Sequence, residues 1–213
     1  MGVHLPYSPK WYWPVEGFSG VPEMDRYFDR NQIFSRFLKA SRQILRLNDL
    51  LLESVEKGGK YSFDLSGPFL EQCRWYPEIL ESFRELDESG RVEFTGSCNY
   101  HSLSSLYPDL SWFKEEVLIY KEIIGELLEV TPKTFTNTEL LYTERVGNIL
   151  ADLGFECLIA EGSKNILNGY DPANIFENHV PTLLRHINLS EDLELRFSKK
   201  DWEGYPLIPE KFA

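Results

Sequence analysis

The sequence predicts an α/β fold of parallel strands with flanking helices, and three observations predict it. Stretches with apolar residues at three- and four-residue spacings alternate along the chain with short segments of strand character. Glycine or proline punctuates most of the changes of period. The links between successive strands are long enough to hold a helix, which parallel pairing requires. A closed barrel and an open doubly wound sheet both fit this rhythm.

The elements follow in order. Residues 3–22 contain Pro6, Pro9, Pro14 and Pro22, which interrupt any helix, so the segment reads as a long irregular loop. Its aromatics, Tyr7, Trp11, Tyr12, Trp13 and Phe18, are either pinned into the core or presented to a ligand. From Asn31 to Lys57 the pattern is helical, with Ile33, Phe34, Phe37, Leu38, Ile44, Leu45, Leu51, Leu52 and Val55 recurring at three- and four-residue spacings, and Gly58-Gly59 stops it. Tyr61 to Leu65 alternates as a strand. Pro68 to Glu88 is helical with a break near Pro77, and Val92 to Thr95 is a short strand. Ser111 is the expected N-cap of a helix to Glu129. A strand at Thr134 to Thr136, a helix at Thr143 to Leu153 and a strand at Phe155 to Ala160 come next. Beyond Gly162 a loop with Pro172 and Pro181 is expected. Leu183 to His186 and Leu193 to Phe197 then read as extended segments.

The chain has 213 residues, enough for a single domain with a sizeable core and short for two. With 42% hydrophobic and 14% aromatic residues it is expected to fold rather than remain disordered. A net charge of −12 disfavours nucleic acid and anionic membranes as partners and is compatible with a neutral substrate such as a sugar. The three cysteines, Cys73, Cys98 and Cys157, are widely spaced, which fits free thiols in a reducing, cytoplasmic setting better than disulfides or a zinc knuckle. No stretch reaches the length of a membrane span.

In parallel α/β folds the site forms where strands end. Asn137, Thr138 and Glu139 follow one predicted strand; Gly96 to His101 follow another, which itself contains Glu93. Glu161 follows a third, and His4 stands near the first residue. Convergence of Glu93, Glu139, His4 and His101 on one rim suits glycoside cleavage. A retaining enzyme uses two carboxyl groups about 5–5.5 Å apart, one ionised nucleophile and one acid of raised pKa. By pattern alone each residue also has a structural role open to it. Glu139 could be an exposed loop residue, and Glu93 could pair with Arg91. His101 could satisfy a backbone carbonyl, His4 could be a terminal residue, and Glu161 could cap the loop at Gly162.

The segments V-H-L-P-Y at 3–7, V-E-F-T-G-S-C-N-Y-H-S-L at 92–103 and F-T-N-T-E-L-L-Y at 135–142 resemble the first three signature regions of family 57 of the glycoside hydrolases. L-S-E-D-L-E-L-R-F-S-K-K-D-W at 189–202 resembles the family's α-amylase-like branch. The resemblance implies an incomplete (β/α)7 barrel of the glycoside hydrolase and deacetylase type, a retaining mechanism on α-1,4-glucans, and no metal or cofactor. By its third motif Glu139 is the nucleophile; His4, Glu93 and His101 fall on substrate-binding positions.

Two departures accompany it. Leu5 stands where the family usually has Gln, and the fourth motif, which holds the acid/base Asp, has no counterpart up to Ala213. The expectation is therefore one catalytic-barrel domain, residues 1–213, truncated at both ends and open to self-association through its strand edges. A non-catalytic glycan-binding protein and a glucanotransferase or branching enzyme are the alternatives.

Overall fold

The computed structural model describes residues 2–3, 27–162, 167–177, 179–206 and 208. The backbone separates into two compact units, Met1–Thr138 and Glu139–Ala213. His4 and the aromatic-rich opening segment lie outside the described residues.

The first unit is built on a parallel sheet. β1 (Gly2–Val3), β2 (Tyr61–Leu65) and β3 (Val92–Phe94) pair in that order, with Val3 opposite Leu65 and Phe63 opposite Phe94. β4 (Thr134–Thr136) joins the continuation of β3: Gly96 N donates to Thr134 O at 2.7 Å and Thr136 N to Gly96 O at 2.9 Å. Parallel order brings the carboxyl ends of these strands to the same edge.

The helices that link them range from a short one of 7 residues to a long amphipathic one of 27. α1 (Arg30–Glu56) starts where Asp29 Oδ1 accepts from Gln32 N at 3.0 Å. Its buried stripe is Ile33, Phe37, Ser41, Ile44, Asn48, Leu51 and Val55. It ends before Gly58, whose φ of 101° lies in the left-handed region that glycine enters most cheaply. α2 (Gly67–Cys73) and α3 (Pro77–Glu88) are separated at the break expected near Pro77, with proline in the first turn of each.

α4 (Ser111–Leu128) corrects the expected cap. Ser111 is the first helical residue, and Asp109 holds it instead, accepting from Ser111 N and Oγ at 2.9 Å each. The helix stops at Glu129, which turns left-handed at φ 61°.

The core lies between sheet and helices. Phe63 stacks on Phe94 at 5.7 Å, and Phe83 of α3 meets both edge-on at 5.4 and 5.8 Å. Ile124, Leu127 and Leu128 of α4 close the same cluster. Asn48 and Ser82 form a buried polar link between α1 and α3 at 2.9 Å.

The second unit contains α5 (Glu144–Asp152), capped by Thr143 Oγ1, which accepts from Val146 N at 3.3 Å. β5 (Cys157–Glu161) pairs parallel with β7 (Pro181–Arg185), with Glu161 opposite Arg185. β6 (Ile175–Glu177) runs antiparallel to β7. It lies in the stretch expected to be a loop, so that expectation is corrected. The extended segment expected at Leu193 to Phe197 is corrected as well. α6 (Ile187–Glu191) runs into a π-type turn, Asp192–Arg196, held by Arg196 on Asp192 Oδ1 at 2.7 Å and on Glu191 Oε2 at 2.9 Å. An ion pair to both the fourth and fifth preceding residues forms on a helical backbone and not on an extended one.

No helix among the described residues is long and apolar enough to cross a membrane.

Candidate functional site

At the carboxyl edge of the first unit's sheet, polar side chains are buried in unusual number: Asp64, Ser66, Ser97, Asn99, Asn137 and Thr138. The loop after β3 places two of them, Ser97 and Asn99. It is fastened to α2 at Gly67, whose amide donates to Asn99 O at 2.9 Å. A Cβ at Gly67 would stand 1.8 Å from Asn99 Oδ1, so the approach requires glycine. Its far side is fastened by Glu116 of α4, which accepts from Tyr100 N at 3.1 Å and from the Ser102 hydroxyl. Cys98 donates a long bond to Asn137 Oδ1 at 3.6 Å, joining this loop to the residue after β4. Burial, then the Glu116 charge, pushes the Cys98 thiol up to about 12, so it is no nucleophile at neutral pH.

His101 ends this loop half-buried, in a turn that requires a positive φ of 52°. Asp64 stands close enough to feel its charge. Burial raises the Asp64 carboxyl to about 6, against the opposing pull of the Ser97 hydroxyl and the His101 imidazole. Glu93 lies on β3 between buried Val92 and Phe94 and is itself exposed. The structure thus brings His101 together with Asp64 and leaves Glu93 in the strand at the surface.

Glu139 follows β4 by three residues. Asn137 and Thr138 are buried, and the chain then turns so that Glu139 is exposed. The turn is strained: Glu139 and Leu140 both have φ of 54°. Non-glycine residues held in this region cost of order 1–3 kcal/mol each, a cost that concentrates at functional sites.

In the second unit, Glu161 at the end of β5 does not cap Gly162 but pairs with Arg185 at 3.1 Å. Beside this pair is a cavity of about 270 Å³ lined by residues that include Tyr142, Phe176, Glu177, Thr182 and Leu184. Among the described residues no group of three His, Cys, Asp or Glu side chains is gathered to hold a metal.

Asp64 and Glu116 join the site from positions that the strand-end pattern does not mark. Asp64 is the penultimate residue within a strand, not one of the residues that follow a strand. Its signal was a lone carboxylate near the end of an apolar strand buried on both faces. Glu116 gave no such signal; its role depends on a loop distant in sequence.

Polar side chains collected at the strand ends of a parallel α/β fold, with an exposed carboxylate on a strained turn at one of them, stand where such folds build their sites. The chain belongs to glycosyl hydrolase family 57, whose model matches residues 3–213. It is 31% identical over 196 residues to a protein of Methanocaldococcus jannaschii described as "Putative alpha-amylase", a match that covers 89% of this chain and 42% of that protein.

Among solved structures, the fold is similar to a GH57-type branching enzyme from Pyrococcus horikoshii, with a TM-score of 0.63 and 14% identity over 90% of this chain and 47% of that one. It is also similar to the 4-alpha-glucanotransferase from Thermococcus litoralis, with a TM-score of 0.61 and 19% identity over 79% of this chain and 27% of that one. At those identities the likenesses bear on the fold alone, which is of the barrel type. The chain spans less than half the length of each of these relatives.

Proposed function

We propose that this chain is part of the catalytic domain of a retaining glycoside hydrolase acting on α-1,4-glucans, with Glu139 as the nucleophile. The domain is an incomplete (β/α)7 barrel of which residues 1–213 form part. His4, Glu93 and His101 bind substrate, and the three free cysteines fit a cytoplasmic setting. The observation that carries the reading is Glu139 itself. It is an exposed carboxylate on a strained left-handed turn directly after a parallel strand, inside the N-T-E-L motif.

The chemistry divides into two halves. In the first, a Glu139 oxygen bonds to the anomeric carbon as the glycosidic oxygen leaves with a proton from an acid. In the second, an acceptor releases the sugar. Water as acceptor gives hydrolysis and a sugar hydroxyl gives transfer, so the two alternatives share the step that Glu139 performs. The acid is assigned to no residue of this chain. Proton donation contributes typically 10²–10⁴-fold, and only where the leaving group needs it.

That last point supplies the test. In α-maltosyl fluoride the leaving group departs as fluoride without an acid: the Glu139 oxygen–carbon bond forms and the carbon–fluorine bond breaks. Incubation with the protein followed by peptide mass spectrometry is expected to find a maltosyl ester on Glu139, absent from Glu139→Gln. No adduct, or one on a different carboxylate, overturns the assignment.

A further inference from the structure

We propose that a second copy of this chain docks on the outer face of α1, laying the outer face of its own α4 along it. The contact is separate from the strand edges and draws on the first unit alone.

The charge on α1 is unlike that of the rest of the chain. From Arg30 to Asn48 the helix carries Arg30, Arg36, Lys39, Arg42 and Arg46 and no Asp or Glu, in a protein of net charge −12. All five cations are exposed. Arg36, Lys39, Arg42 and Arg46 have no side-chain hydrogen bond or ion pair among the described residues. At about 100° per residue, Lys39, Arg42 and Arg46 lie within about 60° of one another, away from the buried stripe. Asp49, Glu53 and Glu56 follow on the same helix and are exposed, so the basic face ends at Arg46.

An apolar flank runs beside it. Phe34 is 47% exposed, Leu38 42% and Trp75 41%. The Phe34 and Trp75 rings stand 5.9 Å apart, and with Arg30 and Asn31 they line a groove. Large apolar side chains gathered beside charges of one sign mark an interaction surface.

The complement is on the same molecule. α4 directs Glu115, Leu118 and Glu122 outward within about 60° of one another, and all three are exposed. Glu115 and Glu122 have no side-chain hydrogen bond or ion pair among the described residues. Lys114 and Lys121 fall on one flank of this face, and Trp112, 62% exposed, falls on the other.

The two stripes match in length. Lys39 to Arg46 and Glu115 to Glu122 each span about 10 Å at 1.5 Å per residue. Laid parallel, Glu115 meets Lys39, Glu122 meets Arg46, and Leu118 comes level with Arg42, whose methylene stem offers it apolar surface. Trp112 then lies on the side of Phe34 and Leu38. An antiparallel arrangement puts Trp112 on the opposite flank, so the parallel one uses both kinds of surface.

The net charge does not forbid the contact. At about 0.15 M ionic strength the screening length is about 8 Å, so pairs in contact outweigh the more distant charge of each copy. A long polyanion fits less well, because it runs past Arg46 onto Asp49, Glu53 and Glu56. The contact is head to tail, α1 of one copy on α4 of the next. Two helix faces bury less than the roughly 1,200 Å² of a stable interface, so the association is weak.

The test is sedimentation equilibrium at physiological salt. The wild-type mass is expected to rise above 24.9 kDa as concentration enters the high-micromolar range. Lys39→Glu with Arg46→Glu, and separately Glu115→Lys with Glu122→Lys, are each expected to hold the single-chain mass. An equimolar mixture of the two variants is expected to associate again, since the first keeps α4 and the second keeps α1; that recovery also requires both to be folded. Trp112→Ser, which changes no charge, is expected to weaken wild-type association and replaces the charge reversals if they fail to fold. Wild type that holds the single-chain mass at every concentration overturns the proposal. Association undiminished in the variants also overturns it, by placing the contact on another surface such as the strand edges. So does a mixture of folded variants that remains single chains.

Discussion

Asp64 shows what a single buried carboxyl does to the molecule. Its carboxyl lies almost wholly out of water, which favours the protonated form and raises its folded-state pKa from 3.8 to about 6. The sign of the linkage follows. Between these values the unfolded chain has lost the proton and the folded chain keeps it, so stability falls as pH rises through that window and levels off above it. A two-unit shift corresponds to about 3 kcal/mol. Asn at this position keeps the shape and removes the titration. Urea unfolding of wild type and Asp64→Asn across pH 4 to 7 is expected to show the difference moving in the variant's favour by about that amount, most of it below pH 6. Other carboxylates titrate equally in both proteins and cancel. A difference that stays constant with pH would mean that Asp64 is already ionised at pH 4.

Between elements, the aromatic contact of Phe83 with Phe63 and Phe94 couples α3 to β2 and β3. Phe83 is fully buried, so Phe83→Ala loses transfer energy and leaves a cavity beneath the strand that carries Asp64 and the one that leads into the His101 loop. A loss of about 3–5 kcal/mol is expected by urea unfolding. A loss under 1 kcal/mol would mean that this layer can collapse around the gap. The elements also show where sequence was sufficient. Apolar residues recurring at three- and four-residue spacings from Ile33 to Val55 announce α1 because the cause of the helix is local, though Phe34 and Leu38 in that pattern are exposed, and Thr143 announces the start of α5 for the same reason. β6 was invisible because Ile175, Phe176 and Glu177 become a strand only by pairing with β7, and its partner lies beyond a turn. Leu193, Leu195 and Phe197 alternate as a strand would, yet Arg196 reaching Asp192 and Glu191 outweighs that alternation. In the candidate site, Glu139 was legible through its motif and its place after a strand. The cavity at Glu161 was not, since its walls are drawn from four separate segments.

For the whole chain, 34 acidic against 22 basic residues give a field of one sign that any charged ligand must enter. A neutral glucan feels little of it. Charged glucans do, and salt separates the two cases, because the screening length shrinks from about 10 Å at 0.1 M to about 3 Å at 1 M ionic strength. The rate at which α-maltosyl fluoride labels Glu139 is expected to change less than about twofold over that range, as no charge is brought to the protein in binding. Retention on carboxymethylated amylose is expected to rise with salt, and retention on unmodified amylose to stay level. The comparison also discriminates between substrate classes. An enzyme built for an acidic polysaccharide would need a local cationic site strong enough to override the net charge, and its binding would weaken as salt is added. Retention on carboxymethylated amylose that falls with salt would therefore place an unrecognised basic subsite on this chain and would turn the substrate assignment from neutral glucans to anionic ones.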